Sequence, residues 1–122
     1  MQTRMERRTR RYYSPMLRFE GLYLDPITRR VTRGTTAQQL TRKEARLLAA
    51  LMRAQGEVMT REDLMREVWD TDYVEDTRIL EVYIHRLRQK VEKDPRRPKY
   101  VRTVRGVGYR LSAPSLDAKR RE

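Results

Sequence analysis

The fold is decided by residues 76–93, which read DTRILEVYIHRLRQKVEK. At about 100° per residue, apolar side chains recur on one side of this stretch at i, i+4, i+7 and i+11. That stripe predicts a helix from Asp76 to about Lys93 that is buried along one side, and Asp94-Pro95 ends it. The predicted buried stripe consists of Leu80, Ile84, Leu87 and Val91.

The opposite side of this helix is polar and carries an isolated apolar residue, Val82. A solvated helix face usually mixes both signs of charge, but here the only nearby acid is Glu81. In the DNA major groove an isolated apolar side chain can contact a thymine methyl group, while arginine binds guanine. We therefore expect this face to read DNA, and an ordinary exposed basic face is the alternative. The face consists of Arg78, Val82, His85 and Gln89, with Arg86 at its edge.

The histidine and cysteine counts argue against catalysis. The chain has one histidine, His85, and no cysteine, so it lacks a thiol nucleophile and a second imidazole for a metal site or proton relay. Acidic residues do not cluster as they do in a metal site. We predict no catalytic residue, no metal and no cofactor. For His85, contact with a base edge or phosphate and a structural role are both open.

Composition points to a nucleic-acid partner. The 122 residues suffice for one domain, and 29 Lys+Arg against 17 Asp+Glu give a formal net charge of +12. Nucleic acid is the commonest acidic partner of so basic a protein. No apolar run is long enough to span a membrane, and no signal-peptide pattern is present. We therefore expect a cytoplasmic protein that does not contact a membrane.

We divide the chain into an arm, a domain and a tail. Residues 1–15 are crowded with arginine and have almost no aliphatic side chains, which predicts a flexible basic linker or arm. This arm is either a passive solvated tail or a source of additional affinity for phosphates. Residues 16–112 form the predicted domain, and residues 113–122 a polar tail.

The first part of the predicted domain has strand periodicity. Apolar and polar residues alternate between Met16 and Leu40, and turn residues interrupt the alternation at Gly21, Asp25-Pro26 and Gly34. This pattern predicts a small antiparallel meander of short strands. Its apolar positions are Leu17, Phe19, Leu22, Leu24 and Val31.

Two shorter helices are predicted between the meander and residues 76–93. Thr41 and Glu44 form a capping-box sequence, and the helix that they open ends near Gln55-Gly56. Thr60 opens the second helix, whose apolar face reaches Trp69. The Trp69 ring is expected in the core, or at the rim where its indole N–H reaches a phosphate, and the two roles are compatible.

After Pro98 the strand pattern returns. Residues 100–105 and 108–111 flank Gly106-Val107, which predicts a hairpin with Arg105 at its tip. A narrow tip that carries arginine fits the minor groove, whose negative potential attracts this side chain. An ordinary hairpin with a solvated arginine is the alternative.

Four motifs resemble, in the same order, those of OmpR/PhoB-type winged-helix effector domains. The last of them matches the family pattern TVRGvGYrl almost letter for letter, and the resemblance covers roughly Leu17 to Leu111. The motifs are LTRKEARLL at 40–48, TREDL at 60–64 with VW at 68–69, DTRILEVYIHRLRQK at 76–90 and TVRGVGYRL at 103–111.

This resemblance implies an α+β fold, a winged helix-turn-helix. It has a four-stranded N-terminal antiparallel sheet, three helices and a C-terminal β-hairpin wing. The third helix is then the recognition helix in the major groove, and Arg105 of the wing lies in the minor groove. The implied base-reading residues are Val82, His85 and Arg86, and the implied DNA-backbone contacts are Trp69, Arg78, Tyr83, Gln89 and Thr103.

The resemblance also implies partners. Such domains belong to bacterial two-component response regulators, which act in phosphorelays and control transcription. They bind direct-repeat half-sites in double-stranded DNA as head-to-tail dimers, and the loop at 70–76 resembles one that contacts RNA polymerase in some members. A receiver domain usually lies upstream, but this chain has no room for one. We expect an excised effector domain, with a free-standing regulator as the alternative.

Three residues differ from those that are common in the family, and this limits what can be inferred from the resemblance. Ile79, Tyr83 and Asp70 stand where Thr, His and Gly are common, so the DNA target of relatives does not carry over to this chain. A different class of function is also open, namely a winged-helix protein-interaction module whose basic face docks an acidic partner.

Overall fold

The computed structural model describes residues 16–71 and 76–113. Within these ranges the chain forms a four-stranded sheet, three helices and a three-stranded sheet that includes the C-terminal hairpin. This arrangement confirms the predicted α+β winged-helix fold. The arm predicted at 1–15, most of the tail and part of the loop at 70–76 lie outside the described residues.

The elements follow one another in the predicted order, except for one additional strand before the second helix. Their bounds are β1 Leu17–Phe19, β2 Leu22–Asp25, β3 Arg30–Arg33, β4 Thr36–Gln39, α1 Arg42–Arg53, β5 Met59–Thr60, α2 Arg61–Trp69, α3 Arg78–Val91, β6 Val101–Val104 and β7 Gly108–Leu111.

The N-terminal sheet is the predicted meander. Its strands are paired antiparallel in the order β1-β2-β3-β4. The period-two alternation buries Leu22, Leu24 and Val31 against the helices, whereas β4 is exposed along its whole length. Turns occur at the predicted breaks, and Gly34 adopts the left-handed φ of 59° that its turn requires.

Helix α1 is the centre of the core, because it contacts both other helices and both sheets. The predicted capping box starts it. Thr41 Oγ1 accepts a hydrogen bond from the Glu44 N–H at 3.3 Å, and Glu44 Oε1 accepts one from the Thr41 N–H at 2.9 Å. The fully buried side chains of the helix are Leu47, Leu48, Leu51 and Met52.

The second sheet contains a strand that the sequence did not reveal. Met59 and Thr60, for which no strand was predicted, pair with β7 to give the order β5-β7-β6. A side chain at Gly108 would overlap the backbone carbonyl of Met59, so only glycine permits this pairing. The wing hairpin is therefore joined directly to the start of α2, which Thr60 caps.

Helix α3 is shorter at both ends than predicted. The prediction of Asp76 as its start was wrong by two residues: the Asp76 carboxylate accepts a hydrogen bond from the Arg78 N–H at 3.0 Å, and the helix begins at Arg78. At the other end Glu92 is extended, with φ −90° and ψ 145°. Its carboxylate accepts hydrogen bonds from the N–H groups of residues 99–101, so the helix ends before Lys93.

The packed unit extends slightly beyond the predicted boundary at residue 112. Ser112 is 3% exposed and Ala113 is fully buried. The polar tail therefore starts no earlier than residue 114.

Candidate nucleic-acid interface

The side of α3 opposite its buried stripe is exposed, as predicted. The stripe of Leu80, Ile84, Leu87 and Val91 is almost completely buried. On the other side Val82 is 44% exposed among polar side chains. We define the reading face as the exposed set Arg78, Val82, His85, Arg86 and Gln89.

Two acids next to the reading face are paired with arginines. Glu81 lies 3.7 Å from the Arg61 guanidinium of α2, and Asp76 lies 2.7 Å from that of Arg78. Side-chain and backbone hydrogen bonds from Arg78 lower the pKa of Asp76 from 3.8 to about 2. These ion pairs offset the charge of both acids, so the exposed guanidinium of Arg86 contributes positive charge at the edge of the face.

Two adjacent aromatic rings with a cation at each end connect the reading face to α1. The guanidinium of Arg86 lies 4.9 Å from the centre of the Tyr83 ring, and Tyr83 contacts Trp69 edge to face at 5.2 Å. Lys43 of α1 lies 5.9 Å from the Trp69 ring and donates to the carbonyl of Val68. This cation–aromatic ladder restricts the orientations that the Arg86 side chain can adopt.

Arg88 joins α3 to the wing. Its Nε and Nη2 both donate to the carbonyl of Val101, at 3.0 and 2.8 Å, and Nη2 also donates to Thr103 Oγ1 at 2.8 Å. Two guanidinium groups lie near the centre of the Tyr109 ring, that of Arg61 at 5.5 Å and that of Arg88 at 5.9 Å. The wing is thus fixed relative to α3 by a fork of hydrogen bonds.

The wing tip carries Arg105, as predicted. The Val107 N–H donates to the carbonyl of Val104 at 2.9 Å and closes the turn. Gly106 has a left-handed φ of 76°, which a residue with a side chain rarely adopts. Arg105 is exposed at this tip.

The C-terminal end of α3 is fixed by Lys90 and Arg33. Lys90 Nζ donates to Glu44 Oε1 at 2.8 Å and to the carbonyl of Gln39 at 2.9 Å, and Arg33 Nε donates to the carbonyl of Val91 at 2.9 Å. Burial by itself raises the pKa of Glu44, but hydrogen bonds from Lys90 and Thr41 leave it lower than 4.5. The capping box of α1 therefore also holds the C-terminal end of α3.

Comparison with known proteins identifies the family. Residues 35–111 match the model of the family described as "Transcriptional regulatory protein, C terminal". The chain is similar to the transcriptional regulatory protein AfsQ1 of Streptomyces coelicolor, with 43% identity over 108 residues, 88% of this chain and 48% of that protein. It also resembles the transcriptional regulatory protein PhoP for alkaline phosphatase synthesis of Bacillus subtilis, with 44% identity over 65% of this chain and 33% of that protein.

The chain is also similar to solved structures of DNA-binding proteins and response regulators. The DNA-binding domain of Klebsiella pneumoniae RstA, in complex with the RstA box, has a TM-score of 0.71 and 29% identity over 80% of this chain and 96% of that chain. The Thermotoga maritima response regulator DrrB, an OmpR/PhoB homologue, has a TM-score of 0.71 and 29% identity over 88% of this chain and 51% of that chain. The chain belongs to the OmpR/PhoB family of response-regulator DNA-binding domains. Its relatives are bacterial two-component transcriptional regulators, and it spans about half the length of AfsQ1.

The effector domain brings most of the predicted DNA-contacting residues to one side. Val82, His85 and Arg86 share the reading face with Arg78 and Gln89, and Arg88 connects that face to Thr103. Trp69 and Tyr83 are half-buried and pack against the core, so each ring also has a structural role. Their predicted contacts with the DNA backbone stay predictions.

Sequence reasoning missed the residues of the effector domain that hold the reading residues in place. Arg61, Arg88, Lys90 and Glu44 make contacts between elements far apart in the sequence. The available signal was the position of Arg88 beside the buried stripe, where a charged side chain needs a partner.

Within residues 16–71 and 76–113, no group of three or more His, Asp or Glu side chains is arranged to hold a metal ion. No helix in those ranges is both long and apolar enough to cross a membrane. The family consists of transcription-factor DNA-binding domains.

Proposed function

We propose that this effector domain recognises specific sequences in double-stranded DNA by placing α3 in the major groove. Val82, His85 and Arg86 face base edges. The supporting observation is the exposed Val82 between polar side chains, on a helix whose opposite side is fully packed. A thymine methyl group fits against Val82, and the guanidinium of Arg86 fits the O6 and N7 of guanine.

The cation–aromatic ladder prepares Arg86 for this contact. A free arginine side chain has many rotamers, and ordering them on binding is unfavourable. Stacking on Tyr83 restricts them in the free protein. Arg86 therefore loses less side-chain conformational entropy on binding guanine than a free arginine side chain would.

The remaining predicted contacts hold the duplex backbone. Arg78, Gln89, Tyr83 and Trp69 approach phosphates on either side of the major groove. Because Thr103 Oγ1 accepts a hydrogen bond from Arg88, its own hydroxyl proton is left to donate to a phosphate. Arg105 enters the adjacent minor groove.

The proposal includes the partners of the complete regulator. A receiver domain precedes the effector domain, two copies bind direct-repeat half-sites head to tail, and the loop at 70–76 contacts RNA polymerase. Residues 1–15 serve as the basic arm or linker. These assignments rest on the family and on the basic composition.

Selection of bound duplexes from random DNA at a stated salt concentration tests the proposal. We expect a preferred half-site, its spacing and a preference over random duplex of roughly 10³ or more. A preference below about tenfold would instead support the protein-interaction module.

Arg86→Ala then tests the reading residue. We expect a loss of about 1–3 kcal/mol on the selected site and relaxed discrimination at one base pair. Arg97→Ala, an exposed arginine after α3, is the matched control. An equal loss of affinity on every sequence would assign Arg86 to a phosphate.

A further inference from the structure

A second positively charged surface lies outside the reading face. It is a cleft of about 430 Å³ beside α1, and among the described residues that line it Glu67 is the single acid. We call it the arginine cleft, after the side chains of Arg29, Arg42, Arg46 and Arg53 that line it.

The shape of the arginine cleft follows from the sequence of α1. Ala45 and Ala49 are each 5% exposed and form its floor. Their neighbours Arg42, Arg46 and Arg53 lie on the same side of the helix, because residues three or four apart share a face. Small side chains flanked by long basic ones leave a recess that is walled by guanidinium groups.

The arginine cleft and the reading face lie on different sides of α1. Glu44 points toward α3, because its carboxylate binds Lys90. At 100° per residue, Glu44 is roughly 180° around α1 from the centre of Arg42, Arg46 and Arg53. A duplex that lies along α3 therefore leaves the cleft accessible.

The cleft contains an unsatisfied cationic donor. Nε of Arg29 is buried and has no hydrogen-bond partner in the described part of the chain. Arg46 is partly engaged, since its Nη2 donates to the carbonyl of Glu67 at 2.9 Å. Arg42 and Arg53 are exposed. A buried charged donor without an acceptor is unfavourable, so the charge of Arg29 adds to the positive potential of the cleft and favours an anionic ligand there.

We propose that the arginine cleft is a docking site for a short acidic polypeptide segment of a partner protein. Carboxylates at the ends of Asp and Glu side chains can enter a recess and bind the exposed guanidinium groups of Arg42 and Arg53 that line it. Phosphates of a duplex lie on a continuous, stiff backbone, which suits an open basic surface better than a recess. The domain can then bind DNA through α3 and an acidic protein through α1 at the same time.

A labelled peptide of alternating Glu and Ala tests this proposal. The peptide has twelve residues, the length of α1, and a Gln–Ala peptide of equal length is the uncharged control. Fluorescence anisotropy at low salt should show saturable binding of the Glu–Ala peptide to the full chain and none of the control. Absence of saturable binding by the Glu–Ala peptide would overturn the proposal.

The variant R42Q/R53Q removes two charges from the arginine cleft, and R96Q/R97Q removes two exposed charges elsewhere. We expect R42Q/R53Q to weaken peptide binding about tenfold and the control pair at most about twofold, since only the former loses contacts. Both should keep the melting temperature of the wild type. Equal weakening by both pairs would mean unspecific attraction and would overturn the proposal.

Amide chemical-shift mapping distinguishes the possible ligands and does not depend on the proposed function. The Glu–Ala peptide should perturb amides of residues 27–29 and 42–53, and Arg29→Gln should reduce those shifts. Perturbation confined to α3 would overturn the proposal. Perturbation of residues 42–53 by a random-sequence duplex, with none by the peptide, would make the cleft a nucleic-acid site and would also overturn it.

Discussion

The two ends of α3 are held in different ways. At the C-terminal end, hydrogen bonds join α3 to three other elements. Arg88 donates to the wing, Lys90 donates to α1, and the Val91 carbonyl accepts a hydrogen bond from β3. At the N-terminal end, Thr77 makes no side-chain capping hydrogen bond, and Arg78 pairs with Asp76 at the surface.

The two ends of α3 therefore have different roles, since one end is fixed and the other can adapt. Long-range contacts that are partly buried fix the C-terminal end and the wing as one unit. The hydrogen bonds between Asp76 and Arg78 at the N-terminal end are local and exposed, so a phosphate can replace them at little cost. We infer that binding to DNA reorganises the first turn of α3 and leaves the last turn unchanged.

Lys90→Ala should produce the largest effect, because it removes the main support of the fixed end. The Glu44 side chain, 4% exposed, loses its cation, whereas Lys90 itself is 30% exposed. Breaking a buried pair costs about 3–5 kcal/mol, and partial exposure reduces this to about 2–3 kcal/mol. Urea denaturation followed by circular dichroism measures the change in the free energy of unfolding.

Lys93→Ala is the matched control for this variant. Lys93 is exposed just after the same helix, and its loss should change stability by less than about 0.5 kcal/mol. Equal destabilisation by the two substitutions would show that the C-terminal end is not fixed through Lys90.

Arg88→Lys should have the next largest effect, since lysine cannot reproduce the fork that binds Val101 and Thr103. We expect a loss of about 1–2 kcal/mol in the free energy of unfolding. Amide hydrogen exchange should become faster in β6 and β7, while Arg96→Lys leaves it unchanged. Unchanged exchange in the wing of the Arg88→Lys variant would contradict the proposed coupling.

Glu44→Gln tests the support of the C-terminal end of α3 through the pH dependence of stability. The pKa of Glu44 is lower than 4.5 in the folded protein, so its charged form contributes stability that is complete above about pH 4.5. This contribution is lost as the pH falls through the folded pKa. Thermal unfolding of the variant should depend less steeply on pH below 4.5 than that of the wild type. Glu57→Gln, at an exposed site, should keep the wild-type slope.

The fold could be predicted from sequence because its signals are local. The capping box at Thr41, the stripe from Leu80 to Val91 and the turn at Gly106 each fall within a short window. The predicted ends of α3 were wrong, because the helix ends where the carboxylates of Asp76 and Glu92 accept hydrogen bonds from backbone N–H groups. Element boundaries of this kind do not follow from periodicity.

The candidate site likewise has features that local sequence predicts and features that depend on contacts between distant residues. The exposure of Val82 and Arg86 follows from helix period alone, and it was predicted. The pairing of Lys90 with Glu44 joins residues 46 positions apart, and a single sequence gives no signal for such a contact. The strand β5 was missed because its partner, β7, lies at the far end of the domain.

Asp76→Asn should have the smallest effect and tests the adaptable end. The asparagine oxygen can keep the hydrogen bonds from the N–H and Nε of Arg78, but the negative charge and the bond to Nη2 are lost, so the guanidinium is held less tightly. Stability at pH 7 should not change measurably, because the pair is exposed. If Arg78 then meets a phosphate, affinity for the selected duplex rises up to about threefold at low salt, and the salt slope becomes steeper by up to about 0.9.

Asp94→Asn is a closely matched control for that change. Asp94 accepts a hydrogen bond from the N–H two residues later, as Asp76 does, and its loss changes the charge equally. It lies beyond the C-terminal end of α3, so its substitution should leave the salt slope unaltered. The same slope in both variants would mean that the Asp76–Arg78 pair does not compete with DNA, and both ends of α3 would then be rigid.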